Sequence, residues 1–340
     1  MNPLAFALLP SPQHVDPSHP EHPRRLEGLA EAAERAFGPS LLVVPAVSAP
    51  QEAILAVHPA AHLEFLRRAC EQAPAIIDYA PTYVTATSLD DALHAAGATL
   101  ATLEAVLDGR AAAGFAAVRP PGHHATADRA MGFCLLNNIA IAARRAQRAG
   151  IERVMIVDFD VHHGNGTQAV FDDDATVLYI STHQEGIYPG TGAITERGRG
   201  AGIGLTVNVP LPSGTGDAGF EAILEQVVAP LARRFRPGLL LVSAGFDAHW
   251  RDPLASLQLS TRGFRRLSGS LIEIAREVCD GRILFVLEGG YDPPALQEGI
   301  LATLASCLGA PAPSDRFGPA PYPSPDIAPI LRTVRGLHNL

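Results

Sequence analysis

The chain has 340 residues, 47% of them hydrophobic and 18% charged, with a formal net charge of −9. This excludes global disorder and leaves room for a sizeable core. The negative balance, with no Lys/Arg run longer than pairs such as Arg144-Arg145 and Arg233-Arg234, argues against a protein that grips nucleic acid through its phosphates.

Residues 4–9 read as a first short strand. The N-terminus lacks a basic region and is broken by prolines, which makes a poor signal peptide. No apolar run approaches the roughly 20 residues of a membrane span. Cys70, Cys134, Cys279 and Cys307 are far apart and form no CxxC, so reduced thiols and an intracellular, cytoplasmic chain are expected. Residues 14–23 place His14, His19 and His22 among prolines and read as an irregular surface loop. Residues 24–37 have helical spacing and stop at Gly38-Pro39. Further helices are expected near 51–57, 60–72 and 89–108. The last carries Asp90 and Asp91 in its first turn, where the helix dipole favours them.

From residue 115 onward strands alternate with helices. Strands are expected at 115–118, 154–157, 176–181, 239–242 and 283–287. Helices are expected at 136–148, 220–234, 261–278 and 293–308, the last with Asp292 as N-cap, Pro293 at N1 and Gly309 past its end. This rhythm indicates an α/β protein: a single three-layer domain over residues 1–310 with a central, mostly parallel sheet. Residues 311–340 are Pro-rich and read as an extension packed on the same domain. Ligands of such sheets bind outside the carboxyl ends of the strands. Each of the five later strands ends in a loop holding Gly, His, Asp or Tyr, so five chemical loops are expected on one edge.

The densest of these loops follows Val154-Met155-Ile156-Val157. Asp158, Asp160 and His162 come at alternate positions and point to one side of an extended chain. Buried carboxylates are costly unless paired or coordinated, and mixed O/N donors suit zinc or a similar divalent ion. Asp160 and His162 supply two ligands, and Asp247, just past another buried strand, is the candidate third. Asp158 is better placed to orient a neighbour. His123-His124, after Pro120-Pro121-Gly122, are candidates for a general base and an electrostatic partner. Asp158 and Asn165 are available to make the two unequal, since a carboxylate favours an imidazolium more than an amide does. Tyr291, after Gly289-Gly290, is a candidate donor to a developing oxyanion. Phe133 and Tyr188, in glycine-flanked loops, are candidate channel walls. A nucleophilic Cys134 is rejected, because the metal and histidines already account for hydrolysis.

Arg119-Pro-Pro-Gly-His-His-Ala125, Gly132-Phe-Cys134, Asn137-Asn138, Asp158-Phe-Asp-Val-His-His-Gly-Asn-Gly-Thr167, Ser243-Ala-Gly-Phe-Asp247 and Glu288-Gly-Gly-Tyr291 resemble, in order, the histone deacetylase/acetylpolyamine amidohydrolase family in its bacterial class II-like branch. The resemblance covers about residues 14–310 and implies an arginase/deacetylase-like fold and zinc-dependent hydrolysis of an N-acyl amine. By carry-over, Asp160, His162 and Asp247 hold one catalytic Zn2+. His124 is general base and then acid, His123 its electrostatic partner held by Asp158, and Tyr291 polarises the carbonyl. The resemblance also implies a structural K+ beside Asp158, Asp160, His162, Ser181 and Thr182. Asn165 stands where class I members carry Asp. Gly132, Phe133, Tyr188, Leu254 and Asp90 are assigned to the substrate channel, with Asp16 and Asp91 as further rim carboxylates.

The expected substrate is an acyl-lysine peptide or protein, or another small acylated amine, and no nucleic acid or membrane partner is expected. Leu254 stands where polyamine-selective relatives place an acid, yet an acetylpolyamine substrate stays open. A di-manganese ureohydrolase and a catalytically silent binding protein are the other classes left open. So is the oligomeric state, a homo-oligomer included.

Overall fold

The computed structural model describes residues 3–311 and 315–340. Met1 and Asn2, at the head of the stretch judged against a signal peptide, and residues 312–314 of the Pro-rich tail lie outside them. Ten strands are present: β1 (Leu4–Leu9), β2 (Leu41–Val43), β3 (Ala75–Ile76), β4 (Tyr83–Val84), β5 (Ala113–Val118), β6 (Val154–Asp158), β7 (Val177–Gln184), β8 (Thr206–Leu211), β9 (Leu239–Ala244) and β10 (Ile283–Leu287). Eight of them form one sheet in the order β2-β1-β5-β10-β9-β6-β7-β8. Every pairing in that sheet is parallel. β3 and β4 make a separate antiparallel pair.

Parallel strands covered on both faces need apolar residues at every position, and β5, β6, β9 and β10 are buried throughout. Alternation then sends side chains to two different cores. Leu4, Phe6, Phe115, Leu240 and Val242 join one, with the helices Leu29–Phe37, Thr261–Cys279 and Pro293–Leu308. Ala5, Ala7, Ala116, Leu239 and Leu241 join the other, with the helices Ala60–Glu71, Ser88–Leu107 and Asn138–Arg148. The result is three layers around a sheet that is parallel throughout, where the alternation of strands and helices implied a mostly parallel one.

Several elements depart from expectation for local reasons. The helix expected over 24–37 breaks at Gly28, whose φ of 73° is left-handed, into a 3-10 turn and the helix Leu29–Phe37. The 220–234 helix passes through a π-turn at Leu224–Val228, just before Pro230 removes a donor. β8 (Thr206-Val-Asn-Val-Pro-Leu211) was missed because Asn208 and Pro210 interrupt its apolar run; as the last strand of the sheet it tolerates the proline. The tail is more than an irregular wrap. It forms the helix Ala328–His338, which buries Leu331 and Val334 in the first core. The helix from Pro293 is capped as expected, with Asp292 accepting from Ala295 N at 3.0 Å and Gly309 at φ 62°. Among the described residues no helix is long and apolar enough to cross a membrane.

Buried neutral histidines make the fold acid-sensitive. Burial lowers His58, His163 and His249 from 6.5 to about 4. Between those values the unfolded chain binds more protons than the folded one. Their contribution is therefore complete above pH 6.5 and is lost as pH falls toward 4. Each costs up to about 1.4 kcal/mol per pH unit across that window. Urea unfolding of the metal-free chain at several pH values is expected to show this slope, and His58→Gln is expected to flatten it. An unchanged slope would remove His58 from the account.

Candidate active site

The four central strands, β5, β10, β9 and β6, deliver the site. β5 runs out through Arg119 to His123-His124, β10 to Glu288–Tyr291, β9 to Gly245 and Asp247, and β6 to Asp158 and the loop holding Asp160 and His162.

Asp160, His162 and Asp247 offer ligand atoms that all lie within 4.8 Å of one another. His162 Nδ1 is 3.2 Å from Asp160 Oδ1 and 3.3 Å from Asp247 Oδ2. Both carboxylates are fully buried. Burial alone would lower His162, but the hydrogen bond to Asp160 and the charges of Asp160 and Asp247 lift it to about 10. The pocket therefore selects positive charge. Asp247 Oδ2 is buried without a hydrogen-bond partner, although Oδ1 accepts from Val161 N at 3.0 Å. Backbone is kept close by glycine: a Cβ on Gly245 would meet Asp160 Oδ2 at 2.1 Å, and one on Gly289 would meet Asp247 Oδ2 at 2.0 Å. An orphaned carboxylate oxygen beside a second carboxylate and an imidazole fits a divalent ion with O/N ligands.

The two histidines are in contact, with ring centroids 4.0 Å apart, yet their environments differ. His123 Nδ1 donates to Asp158 Oδ2 at 3.0 Å, and Asp158 also accepts from the Tyr179 hydroxyl and from Asp160 N. Burial would lower His123, but Asp158, Asp160 and Glu288 outweigh it and raise it to about 10. His124 Nδ1 donates to Asn165 Oδ1 at 2.8 Å. Burial and the neighbouring His123 and His162 hold His124 well below the usual imidazole range. One histidine is charged and its neighbour neutral, as an acid–base pair requires.

Above them opens a cleft of about 220 Å³, lined by His124, Gly132, Phe133, His162, Tyr188, Leu254 and Tyr291, with Ala80 and Pro81 of the β3–β4 hairpin segment. Tyr188 stands edge-on to His124 at 5.0 Å and Phe133 edge-on to Tyr291 at 6.0 Å. Gly132 (φ 57°) leaves no room for a Cβ, which would lie 2.4 Å from the His124 ring. The Asp90 assignment is corrected: Asp90 is exposed in the first turn of its helix and is not among the residues that line the cleft. Asp16 is likewise outside the lining and binds Ser18. Ser181 pairs with Asp158 across β6 and β7, and the Thr182 hydroxyl donates to the Asp158 carbonyl at 3.3 Å. Cys134 is fully buried, and burial pushes its thiol up, which agrees with rejecting it as a nucleophile.

Sequence reasoning missed the support beneath this site. Glu288 appeared only inside a motif. Its carboxylate accepts from Gly122 N and His123 N at 2.7 and 3.0 Å and from the Ser243 hydroxyl at 3.1 Å. The surface-loop reading of residues 14–23 is overturned: His14 and Glu21 are buried, and Glu21 binds both Arg25 and Arg119. Arg25 in turn donates to the carbonyls of Glu288 and Gly290 and covers the Tyr291 ring at 4.9 Å. A glutamate between prolines carries no periodic signal that would have placed it in a core.

This geometry has counterparts in known proteins. The histone deacetylase domain family matches residues 19–307. The chain is 38% identical to histone deacetylase 14, chloroplastic, of Arabidopsis thaliana, across 99% of this chain and 85% of that one. It is 40% identical to a histone deacetylase-like amidohydrolase of Pseudomonas aeruginosa, across 80% and 71%. The crystal structure of the HDA15 HD domain superposes with a TM-score of 0.86 at 34% identity, covering 98% of this chain and 95% of that one. With the matching domain spanning the metal-ligand candidates, both histidines and Tyr291, this chain belongs to the histone deacetylase family of deacetylases and amidohydrolases.

Proposed function

We propose that the chain is a zinc-dependent deacetylase that removes acetyl or other short acyl groups from acylated amines, with acyl-lysine peptides or proteins as its preferred substrates. One observation carries this reading: His162 of the three-residue ligand cluster lines one cleft together with His124 and Tyr291. Asp160, His162 and Asp247 would hold the ion. When bound, zinc supplies an acidified water and draws electron density from the acyl carbonyl.

The chain's own residues do the rest. The His124 Nδ1–H is committed to Asn165, so Nε2 is the free base that takes a proton from the attacking water. His123, held as an imidazolium by Asp158, supplies positive charge to the developing oxyanion without giving up its proton. The Tyr291 hydroxyl donates to the same oxygen, and burial keeps that phenol protonated and able to donate. His124 then returns its proton to the leaving amine. Phe133 and Tyr188 flank an extended acyl-amine chain and keep bulk water away. Asp158, Asp160, His162, Ser181 and Thr182, partly through main-chain oxygens, would hold a structural K+ beside this centre.

The acetylpolyamine reading is less favoured because no carboxylate is among the cleft-lining residues to meet a distal ammonium. A two-manganese centre is less favoured because one metal-ligand cluster was found among the described residues. With zinc loaded, kcat/KM for acetyl-lysine peptides is expected to exceed that for N-acetylputrescine and N-acetylspermidine by more than about tenfold, some 1.4 kcal/mol in transition-state binding. The opposite order would reassign the substrate to polyamines.

A further inference from the structure

The loop that presents Tyr291 begins with two glycines, and Gly290 has a φ of 123°, so its own backbone does little to fix where the ring goes. It is tied down from three sides. Arg25 donates to the Glu288 and Gly290 carbonyls at 2.6 and 2.7 Å. Arg251 meets Asp292 at 3.0 Å. Between these, one oxygen of the Asp252 carboxylate accepts from Tyr291 N at 2.7 Å while the other accepts from Leu254 N at 2.9 Å. Asp252 is only 7% exposed. It belongs neither to the ligand cluster nor to the cleft lining. A buried carboxylate is costly to keep unless its acceptors are used, and here both are used on two residues that line the cleft.

We propose that Asp252 is the positioning residue for Tyr291, its carboxylate bridging the Tyr291 and Leu254 amides so that the phenol meets the acyl oxygen. This rests on the deacetylase reading above. Among the described residues no hydrogen bond holds the Tyr291 hydroxyl itself. Its place follows from the backbone clamp and from ring packing against Arg25 and Phe133. Asp252 touches no substrate and acts through Tyr291. A misplacement of about 1 Å at a catalytic group can cost on the order of 100-fold in rate.

The test is a double-mutant cycle. Asp252→Ala and Asp252→Asn are made alone and on a Tyr291→Phe background, in the zinc-loaded full chain. Alone, Asp252→Ala is expected to lower kcat for an acetyl-lysine peptide at least about tenfold while KM moves less than about threefold. On the Tyr291→Phe background the same change is expected to cost less than about twofold, because the hydroxyl it serves is already gone. Asp252→Asn keeps the shape and one acceptor; it is expected to fall between parent and Asp252→Ala, and it carries the cycle should Asp252→Ala not fold. The Kd of a linear alkyl hydroxamate, whose carbonyl would take the place of the acyl oxygen, is expected to follow the same non-additive pattern. Equal losses in both backgrounds, no loss in either, or a chain that binds no hydroxamate would overturn the proposal. A chain that shows the hydroxamate cycle but hydrolyses no acylated amine would sink the deacetylase reading and support the clamp. Turnover with an additive cycle would sink the clamp alone.

Discussion

Replacing His124 with alanine is expected to lower kcat for an acylated amine by about 100- to 10,000-fold, the range for a positioned general base. The imidazole's surroundings give it that role. Asn165 Oδ1 can only accept, so it fixes the proton on His124 Nδ1 and leaves Nε2 bare toward the cleft. Burial and two neighbouring imidazoles disfavour the charged form, so His124 enters the reaction neutral. His123, one residue away, has the opposite assignment because a carboxylate stands where His124 has an amide. Exchanging that environment is the sharper half of the test. Asn165→Asp places a negative charge on His124 Nδ1–H, raises its proton affinity and moves the acidic limb of the pH–rate profile upward. A His124→Ala enzyme that retains most of its turnover, or an unmoved acidic limb in Asn165→Asp, would take the base role from His124.

How much of this was legible follows from where the signals lie along the chain. Metal-ligand candidates sit within a few residues of a continuous apolar run, so Val154–Val157 and Leu239–Val242 announced both the strands and the carboxylates that follow. Local contrast of that kind survives in one dimension. Glycines were visible but partly misread. Gly289 stood in the sequence only as the residue before Gly290-Tyr291, whereas its missing side chain makes room for the carboxylates of Asp160 and Asp247. Asp90 was drawn to the channel by its charge alone, and charge says nothing about which end of a helix faces a cleft. The roles of Asp252 and Glu288 were not legible, because each holds a backbone amide far along the chain, 39 and 166 residues away. Side chains that hold a loop in place are recognised only when both ends of the hydrogen bond are known.

Glu21→Gln is expected to destabilise the chain by about 3–5 kcal/mol, the cost of breaking a buried ion pair at one partner. Glu21, Arg25 and Arg119 are all essentially inaccessible to water. Arg25 Nη1 donates to Glu21 Oε1 at 3.0 Å, and the Arg119 guanidinium grips both carboxylate oxygens. Burial would raise Glu21, but Arg119 and Arg25 outweigh it and hold the carboxylate well below its usual range. Glutamine keeps the volume and one acceptor while leaving two guanidiniums in the core without their counter-charge. The loss would not stay local. Arg119 also donates to the carbonyls of Pro10 and His14, fixing the segment after β1, and Arg25 holds the carbonyls on either side of Gly289. Urea unfolding of the parent and of Glu21→Gln measures the effect, and turnover well below the unfolding midpoint reports whether Tyr291 has moved. A stability change under about 1 kcal/mol would place this cluster with exposed pairs, which are worth little. A full-sized loss would identify the Pro-rich segment 14–23 as the keystone between the first strand and the tyrosine loop.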